Sequence, residues 1–146
     1  MQPINILPAT VDDKQAMIGL LQKNKLPVDD LPPTTDNFFV AVGDDNIVGA
    51  IGLELYGQFG LLRSLVVDEA YRDQQIALKL IHIIEHKAKQ LLLVEIYLLT
   101  ETAKKYFEKT GYTVVARTDV PEAIKQSSEF SRFCPVSAVV MQKQVL

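Results

Sequence analysis

The sequence predicts an α+β fold, a three-layer α/β arrangement in which a mixed, mostly antiparallel sheet of six to seven strands is flanked by helices. Three observations predict it. The middle of the chain carries three strand-like runs, Phe38–Val42, Ile47–Leu55 and Phe59–Val67, joined by the turn residues Gly43-Asp44-Asp45-Asn46 and Tyr56-Gly57-Gln58, which reads as an antiparallel meander. The apolar period then switches from two to 3.6 over Asp73–Gln90. A nearly continuous apolar run, Leu92–Leu98, follows, the pattern of a strand covered on both faces.

The remaining elements follow in order. Ile4–Leu7 is a short β-branched run closed by Pro8. Thr10 before Val11-Asp12-Asp13 is an N-cap with acids in the first turn, and Ala16, Met17, Leu20 and Leu21 give the helix an apolar stripe. Leu26–Asn37 holds three prolines and reads as an ordered surface loop with one helical turn at Val28–Leu31. In the long helix Ala77, Leu80, Ile81, Ile84 and Ala88 share a stripe. Thr102 is placed to cap a helix over Ala103–Lys109 that ends at Gly111. Tyr112–Ala116 predicts a strand, Pro121–Gln126 a short helix with proline in its first turn, and Ala138–Gln142 a last strand.

With 146 residues the chain has room for one domain spanning 1–146, because a chain of this size buries about 68% of its unfolded surface around a single core. A net charge of −3 argues against nucleic-acid binding, which requires a basic face to displace counterions. Cys134 is the only cysteine, so neither an intrachain disulfide nor a thiol metal cluster is available within one chain. There is no basic-then-apolar leader pattern and no apolar run near ~20 residues. These features predict a cytoplasmic protein without a membrane span. The sequence leaves a homodimer open.

The segment Leu65-Val66-Val67-Asp68-Glu69-Ala70-Tyr71-Arg72 resembles the strand and turn that lead into the Gln/Arg-x-x-Gly-x-Gly/Ala pyrophosphate loop of the GCN5-related N-acetyltransferases (GNAT). Ala103-Lys104-Lys105-Tyr106-Phe107-Glu108-Lys109-Thr110-Gly111-Tyr112 is similar to the same family's Tyr-Glu-Lys-x-Gly-Phe/Tyr helix end, and the element order agrees over essentially the whole chain. Gly52–Gly57, Leu61–Leu65, Glu129-Phe130, Cys134-Pro135 and Met141 resemble a branch associated with arsenic resistance. The resemblance implies an acetyl group carried by acetyl-CoA and delivered to a small-molecule amine, with an arsenic-containing amino acid as the acceptor the branch label suggests.

The resemblance also assigns residues. A helix N-terminus presents unpaired N–H groups and partial positive charge to a pyrophosphate, which places the cofactor at Arg72, Asp73, Gln74, Gln75, Ile76 and Ala77. Gln75 stands where the family has its middle glycine. Asp73 either crowds the anion or complements the helix dipole. Main-chain N–H groups of Leu65, Val66 and Val67 would polarise the thioester carbonyl. The family's proton-donating tyrosine falls on Phe107, which has no proton to give; water or Tyr97 is the substitute. A domain that binds an acyl-CoA or metabolite as a sensor is the rival implied by Gln75 and Phe107.

Glu54, flanked by Leu53 and Leu55, is the first candidate base, with a plain ion pair to Arg63 as the alternative. Glu101 is the second candidate base, with a helix-start acid as its alternative. Arg63 and Arg132 could take an acceptor's carboxylate, and Asp29 and Asp30 an ammonium group; ordinary surface charge is the alternative for all four. His82-Ile83-Ile84-Glu85-His86 has the His-x-x-Glu-His spacing of a zinc peptidase, but it lies on the stripe opposite the apolar one beside Lys79 and Lys89 and reads as a solvated helix face.

Overall fold

The fold is described from a computed structural model, which describes residues 3–26, 28–29, 31–72, 74–127, 130 and 138–146. Seven strands form one mixed sheet: β1 Asn5–Pro8, β2 Phe38–Gly43, β3 Asn46–Tyr56, β4 Phe59–Val67, β5 Glu95–Thr100, β6 Thr113–Val115 and β7 Val139–Gln144. Their order is β1-β2-β3-β4-β5-β7-β6, with β4 and β5 parallel and the β1–β2, β2–β3, β5–β7 and β6–β7 pairs antiparallel. The helices whose bounds lie within the described residues are α1 Lys14–Lys23, α2 Ile76–Gln90, α3 Lys104–Lys109 and α4 Glu122–Lys125. No described helix is long and apolar enough to cross a membrane.

The chain divides into two compact units, residues 1–53 with 64–84, and residues 54–63 with 85–146. In the first, Asp13 accepts from the backbone N–H (2.8 Å) and hydroxyl (3.1 Å) of Thr10, so the chain enters α1 through a short 3-10 turn, Val11–Asp13. Met17, Leu20 and Leu21 of α1 pack with Phe38, Val40, Ala50 and Val66, while Ala16 faces solvent, one position off the expected stripe. Asp44 and Asp45 both take positive φ, 52° and 64°, the conformation that matches a two-residue turn to the twist of β2 and β3. Phe38 lies opposite Gly52, where an added Cβ would come within 2.4 Å of its ring. The loop after α1 contains the expected turn as a single hydrogen bond from Leu31 N–H to Val28 C=O, 3.3 Å, and Val28 and Leu31 pack on the same core.

In the second unit, Leu61, Tyr97, Val120, Ile124 and Val140 form the core, with Phe59 edge-on to Tyr97 at 6.1 Å between centroids. The β4–β5 ladder pairs Phe59–Leu61 with Glu95–Tyr97, whereas β5 pairs with β7 as far as Thr100.

Several boundaries differ from the sequence expectation for identifiable reasons. The strand expected at Leu92 begins at Glu95, because Leu92 takes φ 61° and ends α2: its N–H bonds Lys89 C=O (3.0 Å) and that of Leu93 bonds Ala88 C=O (3.0 Å). This is the Schellman arrangement, with leucine where glycine is usual. Lys25 closes α1 and Gly111 closes α3 by the same bond pattern. Thr102 does not cap α3; Ala103 is the N-cap residue and gives its N–H to Thr100 Oγ1, 3.0 Å. Pro121 stands at the N-cap of α4 rather than inside it, β6 is confined to three residues, and β7 runs two residues past Gln142.

Leu92 is 70% exposed, so its side chain contributes little packing while its backbone is strained. Leu92→Gly is expected to raise stability by about 1 kcal/mol, read as a higher midpoint in urea without a change of slope.

Candidate active site

Of the residues expected to receive a cofactor, all but Phe107 fall within the first unit, and Phe107 falls within the second. β4 runs through Ser64, which takes φ 60°, a left-handed residue inside the strand. Val66 is buried in the core, whereas Leu65 and Val67 are half-buried. Asp68 then accepts from Ala70 N–H at 3.0 Å and starts a 3-10 turn, Glu69–Tyr71. Tyr71 donates to Asp44, which ties that turn to the β2–β3 hairpin.

Arg72 is exposed and gives its guanidinium to Asn24 Oδ1 (2.8 Å) and Val67 C=O (3.3 Å), joining the end of β4 to the C-cap of α1. Gln75 has φ 60°, and its carbonyl accepts the first helical bond of α2 from Lys79 N–H, 3.1 Å. The helix therefore starts three residues later than its periodicity suggests. Gln75 is exposed, Gln74 and Ala77 half-buried, and Ile76 buried. Asp73 lies outside the described residues.

These residues fit a pyrophosphate at the level of the main chain. A glycine in that loop serves to allow a left-handed turn and a close backbone approach. Gln75 makes a left-handed turn without being glycine, at a conformational cost of about 1–2 kcal/mol.

In the second unit the structure brings Glu54 and Arg63 together. Arg63 Nη1 donates to Glu54 Oε2 at 2.8 Å, with the arginine side chain 1% and the glutamate side chain 12% exposed. Tyr56 donates to the other oxygen, Glu54 Oε1, at 2.5 Å. Sequence reasoning missed Tyr56, although its two-residue spacing from Glu54 on one strand puts both side chains on one face. Tyr97 donates to Glu95 Oε1 at 2.9 Å, and burial followed by that carboxylate pushes its hydroxyl up to about 12, so it holds its proton at neutral pH. Glu101 lies exposed in the bend after β5.

Phe107 is buried and packs edge-on against Tyr106 (5.7 Å) and Tyr112 (5.6 Å). Burial pushes the Tyr106 hydroxyl up from its ordinary value. The α3 end is braced from below: Glu85 accepts from Tyr112 OH at 3.0 Å and from Lys143 Nζ at 3.1 Å, and Lys143 also donates to Thr110 C=O at 2.9 Å. Burial and the Glu85 carboxylate drive the Tyr112 hydroxyl far above its usual range.

Asp29 is exposed in the loop after α1, and Asp30 and Arg132 lie outside the described residues, as does Cys134. His82 and His86 are exposed, and no group of three metal-ligating side chains occurs among the described residues.

Two stability measurements check this geometry. Glu54→Ala removes the 2.8 Å ion pair from a buried guanidinium and is expected to cost about 3–5 kcal/mol, while the Glu54→Leu, Arg63→Met double variant recovers most of that loss in urea denaturation. Gln75→Gly is expected to gain about 1 kcal/mol by relieving the left-handed side chain.

The family model for the acetyltransferase (GNAT) domain matches residues 34–114, more than half of the chain. No curated protein sequence matches it. Among solved structures, an acetyltransferase of the GNAT family from Staphylococcus aureus Mu50 superposes with a TM-score of 0.79 at 24% identity, covering 99% of this chain and 100% of that one. Rv2747 from Mycobacterium tuberculosis, solved in complex with CoA, gives 0.81 at 19% identity over 97% of this chain and 99% of its own. N-acetylglutamate synthase from Neisseria gonorrhoeae, solved with coenzyme A and N-acetyl-glutamate, gives 0.84 at 15% identity; it covers 99% of this chain, which spans only 35% of that enzyme. At these identities the structural likeness establishes the fold, and together with the matched family model it means that the chain belongs to the acetyltransferase (GNAT) domain family.

Proposed function

We propose that residues 1–146 form one N-acetyltransferase domain that moves an acetyl group from acetyl-CoA to the amine of a small molecule in the cytoplasm. The observation that supports it best is Gln75 at φ 60° ahead of α2: a non-glycine residue holds the left-handed turn of the pyrophosphate loop, a cost with no packing return at an exposed position. Acetyl-CoA, when bound, supplies an activated acyl thioester. The chain supplies the rest of the chemistry. The amides of Gln75, Ile76 and Ala77 face the phosphates, with Arg72 holding the loop and Gln74 flanking it. Main-chain N–H groups of Leu65–Val67, which follow the left-handed Ser64, polarise the acyl carbonyl. Glu54, held by Tyr56 and Arg63, takes the proton of the attacking amine, with Glu101 or water as the other route, and exposed Asp29 draws in cationic acceptors.

Phe107 favours a second reading. It is buried in an aromatic cluster at the position where a proton donor would stand, as expected of a domain that binds an acyl-CoA without efficient transfer. A leaving thiol with an ordinary pKa near ~8.5 needs little help from a general acid, which is why transfer is the preferred reading.

Calorimetric titration with acetyl-CoA, followed by an amine panel monitored for free thiol, separates the two. Transfer requires saturable binding and acceptor-dependent thiol release; binding with no release across the panel assigns the chain to the sensor reading. An arsenic-containing amino acid belongs in the panel, since the resemblance to the arsenic-associated branch is tested by whether it outcompetes its arsenic-free analogue.

A further inference from the structure

We infer that Asn24, at the C-terminal end of α1, is a positioning residue of the cofactor site: through Arg72 it sets the turn that leads into α2, so affinity for the pyrophosphate of CoA depends on it. This rests on the cofactor reading above and adds a residue to it. The residues concerned all lie in the first unit. Asn24 is the C-cap residue of α1. A helix end leaves its last carbonyls without intrahelical donors. The N–H that Leu20 C=O would take in a continuing helix is that of Asn24, which turns instead to Leu21 C=O at 3.1 Å, and the Asn24 side-chain Nδ2 supplies Leu20 C=O at 2.9 Å. With the amide nitrogen spent on that carbonyl, the amide oxygen is the atom turned to the neighbouring segment, and it accepts from Arg72 Nη2 at 2.8 Å.

Arg72 also carries its Nε to Val67 C=O, 3.3 Å, at the end of β4, so one guanidinium spans from the α1 cap to the strand that precedes the turn. Lys23 reaches the same turn, but its 3.8 Å pair with Asp68 leaves the lysine side chain 65% exposed and holds little. Asn24 and Val67 are neutral acceptors, and they fix the guanidinium without cancelling its charge. A carboxylate in place of the asparagine would hold the arginine as firmly and spend that charge. The two bonds occupy two of the five N–H donors that an arginine presents in a rigid fork, and the rest serve a phosphate. Arg72 stands just ahead of Gln75, whose left-handed turn opens α2. Asn24 therefore acts on the cofactor at one remove, by aiming a charged side chain that the α2 amides cannot replace.

Calorimetry on the full chain, with CoA as the probe and at a temperature where urea denaturation shows each variant folded, tests this. Asn24→Ala is expected to weaken CoA binding about tenfold, and Arg72→Ala at least as much. Asn24→Gly suits a helix end and loses the same acceptor; it is expected to match Asn24→Ala and covers the case in which alanine impairs folding. The double variant Asn24→Ala, Arg72→Ala is expected to bind no worse than Arg72→Ala alone, because Asn24 acts only through that guanidinium. With an acceptor that is turned over, the loss appears in the KM for acetyl-CoA and leaves kcat in place. CoA affinity in Asn24→Ala and Asn24→Gly equal to that of the parent, whatever their urea midpoints, overturns the inference and leaves the cofactor reading standing. A loss from Asn24→Ala that persists in full on top of Arg72→Ala overturns it as well, since Asn24 then acts by another route. A parent chain that binds no CoA overturns the cofactor reading itself and the inference with it.

Discussion

A helix can offer its first amides to an anion only if the incoming chain turns away sharply before them, and in this protein that turn is made by a single left-handed glutamine. Gln75 at φ 60° separates the 3-10 turn after β4 from the first helical hydrogen bond of α2. The neighbours hold that entry in place. Ile76, Leu80 and Val66 are buried; the backbone of Gly49 approaches Val66 C=O and Leu80 so closely that an added Cβ would stand 3.2–3.3 Å from each. Arg72 closes the turn by bridging Val67 and Asn24. Backbone conformation and packing thus set the start of α2 at Ile76, three residues after the start that the apolar period suggests.

The second unit carries two charge pairs. Glu54 and Arg63 neutralise one another on the β3–β4 hairpin, and Glu85 and Lys143 do so beneath the end of α3. Both pairs carry an added tyrosine hydroxyl, Tyr56 in one and Tyr112 in the other, so that the carboxylate accepts from two directions. The Glu54–Arg63 pair, the more buried of the two, resists substitution of one partner more than of both, because a charge taken out of water costs more than an apolar side chain in its place.

The parts legible in the sequence were those governed by periodicity: the β2–β3–β4 meander, the buried face of α2 and the glycine closing α3 were all readable from residue types alone. What escaped was governed by backbone conformation at residues that do not advertise it. Leu92 looks like the start of a buried strand, and only the hydrogen bonds of Leu92 and Leu93 back into α2 show that it is a helix cap. Thr102 is a better capping residue by type than Ala103, yet Thr100 reaches the free N–H. Gln75 at a glycine position reads as a defect until its φ is known. The Glu54–Arg63 pair was legible as one of two alternatives, and only geometry showed that the pair forms.

The left-handed residue before α2 has a kinetic as well as a geometric side. A glycine hinge samples many shapes and must be frozen whenever a ligand arrives, whereas a side-chain-bearing residue has fewer basins to leave. Glutamine at that position therefore has less backbone freedom to lose than glycine would have.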